Sequence, residues 1–222
     1  IMYPVQLQTV PATYITDVFA RPDVQTGVIA VTVSVRNTGS KTAEGMVSLF
    51  VSPAAGGHGS QSIDRQIEFP SGLSEHEMSL QISQPRLWSL DDPFLYRVEA
   101  SLEIASQPIH RHSTQCGFRD FRVVDGFFHL NGKRIFLKST HTGNHMPVGQ
   151  QVCVTGDFGR RDMIYAKAAG FNMVRFIAGV AYPEQLDLCD ELGLMVYEEC
   201  YASWLLEDSP QMAERFDNST SA

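Results

Sequence analysis

No apolar run in these 222 residues is long enough to cross a bilayer as a helix. The first residues, Ile1–Val5, carry no positively charged n-region and no signal-peptide core, so they are expected to lie in the interior of a longer chain. Cationic charge is also scarce. Seventeen Lys and Arg stand against 25 Asp and Glu, and the net charge of -8 argues against a nucleic-acid partner. The four cysteines are Cys116, Cys153, Cys189 and Cys200, and no two form a CxxC pair. Neither a zinc ribbon nor a disulfide framework is indicated, and Cys189 and Cys200 fit buried free thiols. His141, His145 and Cys153 match no standard zinc spacing, so no metal and no cofactor is expected. Internal repeats and low-complexity tracts are missing too. What remains is an ordinary globular composition, 43% hydrophobic and 19% charged, at a length that suits one or two domains.

From Pro4 to about Phe118 the sequence alternates with a period of two. Ile29, Val31, Val33 and Val35 interleave with Ala30, Thr32, Ser34 and Arg36. The turn residues Asn37–Ser40 follow, and Val47, Leu49 and Val51 resume the pattern. Met78, Leu80 and Ile82 repeat it, and Phe94, Tyr96, Val98, Ala100, Leu102 and Ile104 extend it furthest. One buried face and one wet face mark antiparallel sheets. About seven such segments in a little over a hundred residues predict an immunoglobulin-like sandwich. Trp88 and Tyr96 could stack on a sugar, but large aromatics in sandwiches are mostly core, and Trp88 is expected to plug one end. Asn131–Gly132 is a strong hairpin signal, expected to turn Phe127–Phe136 back on itself and deliver the chain into the second half.

That second half changes period. Arg134–Lys138, Asn172–Ile177 and Leu194–Glu199 read as buried strands. Arg161–Ala169, stopped by Gly170, and Pro183–Leu192, stopped by Gly193, read as helices, because Gly suits the left-handed position just past a helix end. Strand, helix, strand, helix, strand is the order of parallel βαβ units. Polar residues gather after each strand, the edge where parallel α/β sheets and barrels bind ligands.

Several stretches occur in an order that resembles the family 2 glycoside hydrolases, the group of β-galactosidases, β-glucuronidases and β-mannosidases. Arg86–Ser89 with Asp92–Tyr96 looks like the end of that family's sandwich. Gly117–Arg119 followed by Asp125–Lys133 looks like the entry to its barrel, and Leu188–Leu194 with Val196–Glu199 like its second helix and third strand. Ile1–Leu7 looks like the end of the jelly roll that precedes the sandwich. The resemblance implies an all-β immunoglobulin-like sandwich, residues 1–118, followed by an incomplete (β/α)8 barrel, residues 119–222. A whole barrel needs about 250 residues. The family's general acid is a Glu in an Asn-Glu pair after the fourth strand and its nucleophile a Glu after the seventh. This sequence has no Asn-Glu pair, so no catalytic residue is placed in it.

The resemblance does carry over substrate-binding candidates by position. Arg175 matches an Arg kept near the catalytic carboxylates. Glu198 matches an Asp that accepts hydrogen bonds from sugar hydroxyls, and Glu199 matches the Glu beside it, expected to be structural. Asn144 and His145 sit in the loop after the first strand, and together with Arg175 and Glu198 they are expected on one face. Gly143 stands where galactosidases have a substrate-contacting His, a departure from the galactosidase pattern. Adjacent strand residues point to opposite faces, so only one of Glu198 and Glu199 can face the barrel interior unless the strand has ended. The implied function is part of an enzyme cleaving β-linked O-glycosyl bonds in carbohydrate metabolism, with a carbohydrate substrate and homo-oligomerisation open. The alternative is a non-catalytic scaffold or a carbohydrate- or protein-binding module derived from such an enzyme.

Overall fold

A computed structural model describes residues 7–56, 61–143, 157–177 and 181–199. Seven strands make up the first part: β1 (Thr13–Pro22), β2 (Val28–Asn37), β3 (Ala43–Pro53), β4 (Gln61–Phe69), β5 (Gly72–Gln81), β6 (Tyr96–Ile104) and β7 (Gln107–Cys116). They form a three-stranded sheet in the order β1-β2-β5 and a four-stranded sheet in the order β4-β3-β6-β7, with every pairing antiparallel. The expected alternation is what buries the core. Ile29, Val31, Val33 and Val35 of β2 meet Val47, Leu49 and Val51 of β3 and Val98, Ala100 and Leu102 of β6 in one cluster. β-branched residues fit such a pleated surface because their stiff side chains lose little freedom there.

Asn37 closes this core where a turn enters it. Its side chain is buried and donates to the carbonyls of Lys41 and Phe69, at 2.8 and 3.0 Å, while its Oδ1 accepts from the Gly39 N–H. Trp88 is 1% exposed and packs on Gly117, so it is core and no sugar platform. The Asn131 side chain donates to the Trp88 carbonyl at 2.9 Å, which ties the following hairpin to this end of the sandwich.

That hairpin is a small antiparallel sheet of β8 (Phe121–Val124), β9 (Phe127–Leu130) and β10 (Lys133–Arg134). Asn131 and Gly132 both have positive φ, 51° and 76°, as a two-residue primed turn demands. The first turn, Asp125–Gly126, is built the same way, with φ of 50° and 79°. Asp-Gly is as strong a hairpin signal as Asn-Gly, and it marks a strand, β8, that the sequence pattern had not yielded. By compactness the chain divides between Arg134 and Ile135, so this sheet groups with the sandwich.

The second unit holds β11 (Ser139–Thr142), α1 (Asp157–Ala168), β12 (Met173–Phe176), α2 (Pro183–Leu192) and β13 (Met195–Glu198). The three strands are parallel in the order β11-β12-β13. Helix α2 has the expected bounds, opening on Pro183 and ending at Gly193 with φ of 70°. The expected strand Arg134–Lys138 is corrected. Arg134 belongs to β10, and the parallel strand begins at Ser139. Periodicity pointed to the apolar Ile135–Leu137, yet Phe136 is 80% exposed. The polar Ser139–Thr142 can pair instead because it is the outermost described strand, where half its side chains stay in water. Below the sheet, Val174, Phe176 and Leu194 pack against Met163 and Ala166 of α1 and Cys189 of α2. Burial pushes the Cys189 thiol up to about 12, aided by the nearby Asp190 charge. None of the described helices is long and apolar enough to cross a membrane.

Candidate functional site

The two faces of the parallel sheet divide the site residues. Val174 and Phe176 of β12 point to the helices, so Arg175 between them takes the opposite face. In the parallel register Arg175 lies beside His141 of β11 and Tyr197 of β13. These three exposed side chains form one row on the face away from α1 and α2. Phe176 lies beside Glu198, which puts Glu198 with the helix-facing set.

Hydrogen bonds agree with this division. Glu198 Oε1 accepts the Ala181 N–H at 2.6 Å, fastening the residues that lead into α2 to the tip of β13. Glu199, one residue on and past the strand end, turns to the other face. Its Oε1 accepts from Arg175 Nε at 2.6 Å and also pairs with Nη2 of the same guanidinium. The Arg175 guanidinium also lies 5.5 Å from the centre of the Tyr197 ring, within range of a cation–π contact. Arg175 and Glu199 are partly exposed, at 45% and 22% for their side chains, so the pair is open to a ligand from solvent.

The arrangement is therefore a fixed cation, a carboxylate oriented by it, an aromatic ring beside both, and an imidazole one strand away. A guanidinium that holds a carboxylate through two donors limits its rotation. Such a carboxylate can accept hydrogen bonds from hydroxyl groups. Of the five candidates from sequence, the structure brings Arg175 and Glu199 together and places Glu198 on the opposite side of the strand. Asn144, His145 and Cys153 lie outside the described residues. Tyr197 and His141 join the row although sequence reasoning did not make them binding candidates. Tyr197 was findable from alternation, since it stands two residues before Glu199 on the same face. His141 was among the polar residues expected just after the first strand, and it lies within β11 instead.

Asn172 supports the site from beneath. It is buried, its Oδ1 accepts the Lys138 N–H at 2.8 Å, and its Nδ2 donates to the Phe136 carbonyl at 2.9 Å. Together with its own backbone N–H on the Lys138 carbonyl, it holds the segment entering β11 against the start of β12. Among the described residues no group of three or more His, Cys, Asp or Glu is placed to hold a metal.

Two family models match the chain: the glycosyl hydrolases family 2 model over residues 13–119, and the model for that family's TIM barrel domain over residues 121–219. A β-galactosidase from Vibrio cholerae is 36% identical over 124 residues, which cover 55% of this chain and 12% of that protein. One from Alteromonas mediterranea is 26% identical over 206 residues, 88% of this chain and 19% of that protein. A solved structure of Bacteroides uniformis β-glucuronidase 2 superposes with a TM-score of 0.80 at 22% identity, covering 93% of this chain and 26% of that one. The β-glucuronidase of Parabacteroides merdae does so with a TM-score of 0.72 at 26% identity, covering 85% and 24%. The chain thus spans less than a third of each of these relatives.

Proposed function

The chain belongs to glycosyl hydrolase family 2, and from that membership we propose that it supplies the sandwich and the first three βα strands of an enzyme hydrolysing β-linked glycosides. In this proposal the general acid and the nucleophile lie in the remaining barrel strands, and this chain contributes to sugar binding. Retaining glycosidases need two carboxyl groups about 5–5.5 Å apart on either side of the scissile bond. Glu198 and Glu199 do not serve as that pair, because adjacent residues diverge and both carboxylates already have protein partners.

The observation that carries the proposal is the Arg175–Glu199 pair on the face away from α1 and α2 at the C-terminal ends of β12 and β13. Ligands of parallel barrels bind at that end. Glu199, oriented by Arg175, accepts hydrogen bonds from sugar hydroxyls, and the Tyr197 ring stands beside it. Glu198 is the positioning residue, since its carboxylate holds the Ala181 backbone. This exchanges the roles that position in the sequence assigned to the two glutamates. Asn144 and His145 remain proposed sugar contacts from the loop after β11.

The test is an assay of the purified chain against a panel of aryl β-glycosides. The expected result is no turnover above a blank, because general acid catalysis alone contributes ~10²–10⁴-fold and the nucleophile is absent as well. Turnover that survives removal of host glycosidases and is lost in Glu198→Ala or Glu199→Ala would overturn the proposal and make the adjacent pair catalytic.

A further inference from the structure

A concavity lies on the sandwich and uses none of the strand-end residues. It has a volume of about 420 Å³ and sits against the outer side of the β1-β2-β5 sheet. Cavities of roughly 300–1,000 Å³ are the size that holds small ligands. Its floor is made by small side chains: Ala30 of β2 stands beside Ser79 of β5, and Thr32 stands next along β2. Arg21 of β1, in register with Ala30, forms one wall. The other wall comes from β4, where Ile63 and Arg65 lie in a stretch, Gln61–Gln66, that is exposed along its whole length.

Arg65 is anchored. Its Nη1 donates to the Glu77 backbone carbonyl at 2.7 Å, which holds the guanidinium across β5, the last strand of its sheet. Arg21 and Arg65 thus flank a shallow, hydroxyl-lined floor from opposite sides, with the Glu77 carboxylate as the acidic group in the lining. Within the lining two guanidiniums stand against one carboxylate, Glu77, while Asp17 and Glu75, both in register with Ser34, lie one step further along the same face. Phe19, 57% exposed and in register with Thr32, adds an aromatic surface to the same face.

We infer that this groove binds an anionic carbohydrate segment, with the carboxylate of a uronate or a sulfate ester held between Arg21 and Arg65. The planar guanidinium fork matches both anions through paired N–H donors. Thr32, Ser79 and the Glu77 carboxylate match the alternating donors and acceptors of sugar hydroxyls. Phe19 offers a flat apolar surface to the C–H side of a pyranose ring. The groove is open and shallow, so weak, salt-sensitive binding is the expected regime.

The experiment is calorimetric titration of the full chain at low salt with three probes: a β-linked oligoglucuronate, a sulfated oligosaccharide and the neutral parent oligosaccharide. At least one charged probe is expected to bind ten times or more tighter than the neutral one, and which does so identifies the anion. Arg21→Ala is expected to weaken that binding about tenfold or more, as loss of a charge-assisted hydrogen bond implies. Arg65→Ala also removes the tether to β5, so Arg21→Ala, exposed and outside that tether, decides. Equal binding of the neutral probe, or binding unchanged in Arg21→Ala, overturns the inference, as does no binding of either charged probe at millimolar concentration. Binding kept in Arg21→Ala but lost in Glu199→Gln moves the sugar to the strand-end site and overturns it as well. So does a dimer, indifferent to saccharide, that Arg21→Ala dissociates.

Discussion

Asn172→Ala is expected to loosen the candidate site without touching any residue in it. The side chain makes two hydrogen bonds, to the Lys138 N–H and the Phe136 carbonyl, and the residue is 9% exposed. A hydrogen bond contributes about 0.5–1.5 kcal/mol net, and a buried partner left unsatisfied costs about 1–3 kcal/mol. The segment it holds is partly open to water, so the two orphaned groups recover some solvation. A loss of about 2 kcal/mol for this unit follows, equivalent to a fall of about 8–16 °C in Tm for a domain of this size. Asn172→Asp separates the two bonds. Its carboxylate still accepts from Lys138 but faces the Phe136 carbonyl with no donor, so near pH 7 it is expected to destabilise at least as much as Ala. As pH falls the acid protonates, above the ordinary Asp range because burial and the Phe136 carbonyl oppose its charge; it can then donate again, and part of the loss returns. Urea unfolding with amide exchange at Lys138 and Ser139 is the assay. The loss should appear first as faster exchange at these two amides, because they lead into β11 and so set the register of His141 beside Arg175. A one-residue slip would send His141 to the helix side. A stability change under about 0.5 kcal/mol in Asn172→Ala, with exchange at Lys138 unaltered, would refute the assigned role.

The sandwich gives two further expectations. In Gly117→Ala the new Cβ would lie 2.9 Å from Trp88 Cβ, and since Trp88 is wholly buried the strain is expected to cost about 1–3 kcal/mol, measurable by thermal unfolding. His76 and His110 are both held below their ordinary range, chiefly by burial and then by the charges of Arg65 and His112 respectively. Their folded pKa values lie below the unfolded ones, so their contribution is complete above about pH 6.5 and is lost as pH falls from there through the folded values. Tm should therefore drop between pH 7.5 and 5, and the double variant His76→Gln, His110→Gln should show a shallower drop. An unchanged slope in that variant would remove these histidines from the explanation. In addition, His110 Nδ1 accepts the Ile15 N–H at 3.3 Å, a bond that protonation of that nitrogen breaks.

Local rules in the sequence were enough for most of the architecture. The alternation of β2, β3 and β6 fixed which side chains enter the sandwich core, because a strand has only two faces and apolar area leaves water whichever partner is found. Pro183 and Gly193 bounded α2, because proline suits the first helical turn and glycine the left-handed residue after the last. Asn131–Gly132 set its turn for the same kind of reason, and ordered motifs identified the family. Tertiary structure alone decided where the first parallel strand lies. Ile135–Leu137 is the more apolar stretch, but the backbone bonds offered by Met173–Phe176 were taken by the polar Ser139–Thr142, and Asn172 holds the apolar stretch beside them. Tertiary structure also decided which glutamate meets Arg175. Their adjacency in the chain says only that they diverge; the choice of Glu199 depends on where β13 ends and on the Ala181 amide that Glu198 accepts, and no local pattern encodes either.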